Sequence, residues 1–390
     1  MARDGWRPYL GRMTPTIRCL LLALAAAGCA TPTPTPDPAG PPAGPTITPQ
    51  RSGTTSRLQA VSPVSERVAW VSGTGGTYAV TENGGETWRA GVVPGADSLE
   101  FRDVEGVSER QAYLLVAGPG DRSRIYRTED GGRSWSLQFI NRDTSAFYDC
   151  FAFWDPRRGF TMSDAVDGRF PVIRTDDGAS WHDLGDRLPR AQDGEGAFAA
   201  SGTCTAAHGD RHGWIATGAA ARARVLATRD GGDTWTAAET PILQGSPTSG
   251  AASVAFRDSL HGMLGGGDIA APDVFGDNVA VSEDGGETWR LATRTPFPGA
   301  VYGLAYVPGG DGRTVLATGP AGAAWSGDEG GRWILLDGVR DCWAVGFAGP
   351  GAGWLVGSGG RIFRVSFRAH AARPPSLPAG REPAEPPPPA

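Results

Sequence analysis

Thr128 to Trp135 reads TEDGGRSW and Ser282 to Trp289 reads SEDGGETW. Each has a hydroxyl residue, an acid two places on, paired glycines and a closing tryptophan. Four more segments follow the same plan: TENGGETW at 81–88, TDDGASW at 175–181, TRDGGDTW at 228–235 and SGDEGGRW at 326–333. Their tryptophans stand 47, 46, 54, 54 and 44 residues apart, the length of one four-stranded propeller blade with its loops. The chemistry of the segment is local. Ser/Thr and Asp side chains bond backbone N–H groups inside a tight turn while glycines take positive φ, so the turn is closed by its own residues. The tryptophan can bury roughly 150–250 Å2, about 4–6 kcal/mol before losses, and is expected to wedge each blade against its neighbour. The ligand spacing of a calcium loop is absent, so the repeated Asp-Gly reads as a structural staple rather than a metal site.

These segments resemble the Asp-box repeats of bacterial neuraminidases, written S/T-x-D-x-G-x-T/S-W. Asn83 stands in for the acid of the first, the third is one residue short, and Arg332 replaces the hydroxyl residue of the sixth. Distortion is therefore expected in those three turns. Upstream of each turn lies an alternating apolar stretch that reads as a strand, beginning with RVAWVSG at 67–73 and QAYLLVAG at 111–118 and ending with AGWLVGS at 352–358. There are seven such stretches, at 67–73, 111–118, 158–164, 212–218, 261–267, 313–319 and 352–358. The seventh is followed by a third strand, RIFRVSF at 361–367, but by no repeat turn and no fourth strand. Ile47 to Thr54 has the length to return as that missing outer strand, closing the ring and removing its open edges. The expected fold is all-β: a seven-bladed propeller of four-stranded antiparallel blades, with six blades and an appended hairpin as the alternative.

Ring topology then sorts the loops. The repeat turns join third to outer strands and share one face. The opposite face collects the turns from second to third strand and the crossovers between blades. Several of these loops are long, and long loops on a rigid scaffold are where binding residues gather. The channel mouth on that face is expected to bring together Arg102, Tyr148, Asp149, Asp164, Asp167, Arg169, Glu195 and Ser201, with Phe198 nearby. Loop-end acids also serve simply to bond backbone, which is the plainer reading of the same residues.

The first residues concern location. Arg3, Arg7, Arg12 and Arg18 precede a short apolar run at 19–27 that is too short to span a bilayer and reads as a signal peptide. It ends in Ala26-Ala27-Gly28-Cys29, which resembles the lipobox of bacterial lipoproteins and makes Cys29 the expected lipidated residue. The expected organisation is leader 1–28, Pro/Thr-rich tether 29–46, propeller 47–368 and Pro-rich tail 369–390, with either Met1 or Met13 as the start. Secretion to the periplasm, outer membrane or cell surface follows from that organisation, with membrane contact only through the lipid. Without residues 1–28 the chain carries 32 arginines, no lysine and 41 acids, near −9, which argues against a nucleic-acid partner.

Of the cysteines past Cys29, Cys150 and Cys204 each sit ten residues before a second-strand aromatic, Phe160 and Trp214. Equivalent side chains in a ring point the same way round, so a disulfide between them would have the wrong geometry. Free buried thiols are expected, with Cys342 similar. No zinc spacing, phosphate-binding loop, nucleophile elbow or dinucleotide fingerprint is present, so no cofactor or metal is expected. Residues 47–367 as a whole resemble the photosystem II stability and assembly factor-like proteins. That resemblance implies a non-catalytic scaffold holding a protein partner, with assistance in assembling an envelope or membrane complex as the expected role. The alternative is a sialidase-like glycoside hydrolase or glycan-binding propeller. Such enzymes need an arginine clamp, a Tyr/Glu pair and an acid at the centre, which Arg102, Arg169, Tyr148 and Glu195 would have to supply. The Phe-Arg-Ile-Pro signature is absent, and the tandem-propeller glucanases are about twice as long.

Overall fold

A computed structural model describes residues 44–310 and 312–367. The expected leader, most of the tether including Cys29, and the tail lie outside the described residues. Within them the chain forms seven four-stranded antiparallel sheets. Blades 1 to 6 run in chain order from inner to outer strand, with inner strands Leu58–Pro63, Phe101–Gly106, Tyr148–Asp155, Thr205–His208, Ser249–Phe256 and Gly303–Tyr306. Blade 7 starts at Cys342–Gly349 and is completed by Thr46–Arg51, paired antiparallel with Arg361–Ser366. Each inner strand packs on those of both neighbours, the last on the first, so the ring is closed.

Closure is held by side chains as well as by the ladder. Gln50 Oε1 accepts the indole N–H of Trp88 from blade 1 (3.0 Å) and of Trp354 from blade 7 (3.2 Å). Arg364 donates to Gly84 O (2.6 Å) and Glu66 O (3.1 Å) across the same seam. The apolar core is distributed: among the described residues there are seven clusters, each shared by two adjacent blades. Trp70, Tyr113, Phe160 and Trp214 on second strands are buried in these interfaces, and the repeat tryptophans pack back onto the preceding blade, as Trp135 does on Trp70 and Tyr78.

The repeat turns close as their sequence predicts. Thr128 Oγ1 accepts Gly132 N–H (2.9 Å) and donates to Asp130 Oδ1 (2.9 Å), which accepts Ser134 N–H (2.9 Å). The distortion expected in three turns occurs in one. Asn83 Oδ1 accepts Thr87 N–H (3.0 Å), because an amide oxygen serves as well as a carboxylate, and Arg332 donates its backbone N–H to Asp328 (2.8 Å), for which its side chain is irrelevant. Only the shortened third turn differs: Thr175 Oγ1 receives the N–H three residues on, Gly178, instead of four.

The cysteine expectation is overturned. Cys150 and Cys204 form a disulfide across the interface of blades 3 and 4, with Cα atoms 5.9 Å apart. The regular pleat that made them equivalent is broken. The blade 3 inner strand shifts register between Tyr148 and Cys150, a β-bulge, whereas blade 4 pairs without a shift from Thr205 onward and leaves Cys204 just outside the ladder. A bulge re-aims the residues beside it, so one side chain points forward and the other back. Cys342 is buried and free.

Candidate binding site at the channel mouth

The same bulge recurs in five inner strands, near the crossover face. Register shifts leave Gln59, Arg102, Asp149, Ala252 and Trp343 as the extra residue of blades 1, 2, 3, 5 and 7. Inner-strand side chains otherwise alternate between the two neighbouring blades, and the extra residue is freed from that alternation. Four of the five, Gln59, Arg102, Asp149 and Trp343, line one cavity of about 480 Å3 at the mouth, together with Arg57, Phe147, Asp164, Phe198 and Tyr302.

The crossover into blade 4 forms the floor. It reaches across the channel, where Ser201 Oγ donates to Tyr302 O of blade 6 and contacts Thr203 Oγ1 (2.7 Å), which in turn contacts Ser253 Oγ of blade 5 (2.8 Å). Gly202 in this plug has a left-handed φ of +73° and lies against the Asp103 carboxylate and Arg102 O, so a side chain would be both strained and obstructed. Asp164 Oδ1 accepts Ala197 N–H (3.1 Å) and Arg102 donates to Ala199 O (3.3 Å), tying the plug to blades 3 and 2.

The cavity wall carries rigid anchors. Arg57 lies 4.7 Å from the centre of the Trp343 ring, and Trp343 meets Tyr302 at 5.0 Å between centroids. Arg102 is held by Glu100 (2.9 Å). Burial pushes Asp149 well above the usual carboxylate range, and the neighbouring Asp164 carboxyl pushes it further; burial also raises Asp164 to about 6. Asp149 Oδ2 is buried and has no N–H or O–H donor. Protonated, it donates to Asp164, so the two acids share a proton rather than carry two charges.

An acid that binds its proton more tightly folded than unfolded stabilises the fold most at low pH. Relative to Asp164→Asn, which mimics the protonated acid, the wild type is expected to lose about 3 kcal/mol as pH rises from about 4, the unfolded value, through about 6. Urea unfolding of both proteins across pH 4–8 measures the difference; a constant gap would show that Asp164 titrates normally.

The structure brings only part of the expected set together. Arg102, Asp149 and Asp164 line the cavity. Tyr148, expected there, is instead buried against Phe139 in the interface of blades 2 and 3, because it precedes the bulge and keeps its pleated direction. Asp167 and Arg169 occupy a tight turn closed between Val166 and Arg169, outside the cavity, with Arg169 paired to Asp186 (2.8 Å) in solvent. Glu195 is fully buried and bonded to Arg224 Nε (2.8 Å), Thr217 Oγ1 (2.6 Å) and Gln192 N–H (2.8 Å), so it fastens the crossover instead of facing a ligand. Ser201 belongs to the floor. The Arg169–Tyr148–Glu195 constellation of a sialidase-type centre is therefore not assembled. Sequence reading missed Arg57, Gln59, Tyr302 and Trp343, which lie at or before inner-strand starts. Aligning those starts across blades would have placed Gln59 and Trp343 beside Arg102 and Asp149.

No family model and no curated protein matches the chain. Solved structures do. The fold is similar to YCF48 bound to D1 peptide, with TM-score 0.56 and 17% identity over 82% of this chain and 96% of that one. It is also similar to YCF48 from Cyanidioschyzon merolae, with TM-score 0.55 and 18% identity over 83% and 99%. A GH74 xyloglucanase from Xanthomonas campestris gives TM-score 0.55 and 16% identity over 84% of this chain, which spans only 55% of the enzyme. At these identities the likeness is one of fold alone.

Proposed function

We propose that this protein is a non-catalytic binding propeller that holds a segment of a protein partner in the crossover-face cavity. The observation that carries the reading is the row of bulge residues: a preformed pocket of about 480 Å3 with a tryptophan, a tyrosine and two arginines in fixed positions. Aromatic and arginine anchors in a desolvated pocket are the residue types that dominate protein recognition. That a propeller of similar fold is described as bound to a peptide supports it. The acids support it too. Glycoside hydrolysis needs two carboxyls about 5–9.5 Å apart with a sugar or water between them, whereas the buried Asp149 and Asp164 carboxyls lie close enough for Asp164 to raise Asp149 further. The likeness to a xyloglucanase and the Tyr302–Trp343 faces favour glycan binding as the second reading. Export as a lipoprotein anchored at Cys29 belongs to the proposal, and the Cys150–Cys204 bond supports it, since such bonds persist in oxidising compartments.

A photo-crosslinker at Phe198, in cells producing the full chain, is expected to capture one dominant protein. Trp343→Ala is expected to reduce capture about thirtyfold, the effect of losing a central anchor of about 2 kcal/mol. Unchanged capture would place the partner elsewhere. Binding of xyloglucan oligosaccharides lost in the same variant would favour the glycan reading.

A further inference from the structure

The ring has a second opening that the proposed function does not use. On the face of the repeat turns, beyond the Ser201–Thr203 plug, the inner strands surround a cavity of about 650 Å3. Glu105, on the inner strand of blade 2, lines it, and its carboxylate has no hydrogen-bond or ion-pair partner among the described residues. We propose that this opening is a separate binding site for an alkylammonium group, such as a lysine side chain or a small amine, seated against Glu105.

The surroundings favour a compact cation. Asp103, two residues earlier on the same side of the strand, accepts the N–H groups of Val104 (2.7 Å) and Phe151 (2.9 Å), so its oxygens are engaged by backbone and are not free to bind. Thr205 Oγ1 lines the same cavity, is buried, and has no partner, which leaves an oxygen to accept a second N–H. Phe153, Phe256, Phe347 and Tyr306 line the walls, so the cavity around Glu105 is partly aromatic. The cavity's own cation is already neutralised: Arg257 bonds Glu329 through Nε (2.7 Å) and Asp258 through Nη1 (2.7 Å). The flanking stretches Val61–Pro63 of blade 1 and Phe151–Phe153 of blade 3 bring no charge. One free carboxylate and one hydroxyl are too few oxygens for Ca2+, which takes six to eight, but they suit an ammonium with three donors.

Burial raises Glu105 to about 7 and Asp103 well above the usual range. An arriving ammonium favours the ionised form, so binding weakens as Glu105 takes up its proton.

The probe is Nα-acetyl-lysine methylamide, titrated into the full-length protein and followed by NMR, with its Nε-acetylated counterpart as the uncharged control. Saturable shifts are expected at residues 105, 153 and 205, with none from the control. Glu105→Gln is expected to weaken binding at least tenfold. It keeps the shape of a side chain that makes no bonds, so folding is retained. Thr205→Val is expected to weaken binding a few-fold and serves as the second variant. Affinity is expected to fall about tenfold from pH 8 to pH 6. Equal binding of the acetylated control, an unchanged affinity in Glu105→Gln, or shifts confined to the crossover face would overturn the proposal. Capture of a protein partner at Phe198 is expected to be unaffected by Glu105→Gln, so the two sites fail or stand independently.

Discussion

Glu195→Ala is expected to destabilise the propeller by about 3–5 kcal/mol, the cost of leaving a buried charge without its partner. The carboxylate is 1% exposed and satisfies Arg224, Thr217 Oγ1 and the Gln192 N–H at once. Removing it orphans the Arg224 guanidinium, whose side chain is itself only 14% exposed. It also releases the crossover that carries the Ala197, Ala199 and Ser201 contacts of the plug. Glu195→Gln keeps the shape and an acceptor and is expected to fall between. The double variant Glu195→Leu with Arg224→Met is expected to recover most of the loss, because two matched apolar groups avoid the desolvation that the pair must offset. Urea unfolding of the four proteins measures this. A loss below about 1 kcal/mol in Glu195→Ala would mean that water reaches the pair.

Cys150→Ala with Cys204→Ala is expected to cost about 4 kcal/mol and about 6 °C in Tm. The bond closes a loop with a sequence separation of 54, and constraining the unfolded chain to that extent accounts for the figure in the chain-entropy model. The two inner strands it joins also frame the Asp149–Asp164 side of the cavity. Crosslinking efficiency at Phe198 is therefore expected to fall with stability near the transition and to be near wild type well below it. Identical unfolding of reduced and oxidised wild-type protein would remove the bond from any stabilising role.

Of the eight residues that topology pointed to at the mouth, three line the cavity. Asp164 follows a second strand, so knowing the face suffices for it, whereas Arg102 and Asp149 are each the extra residue of a bulge. Tyr148 and Asp149 show the limit. They are neighbours in sequence on the same strand end, yet one is core and the other lines the cavity, because a bulge falls between them. Glu195 shows another: its loop position is as expected, but its direction is set by Arg224, on a strand 29 residues later.

The chain's periodic turns, its seven apolar second strands and the extra strand read at 47–54 determined the blade count, the closure and the two faces. They do so because turn bonds and alternation are local, acting within eight or so residues. Where side chains point at the centre was decided only by tertiary structure. The register shifts in the inner strands, the crossover lying over the channel, and the Cys150–Cys204 bond all arise from how neighbouring sheets meet, and that contact involves residues with no fixed spacing along the chain.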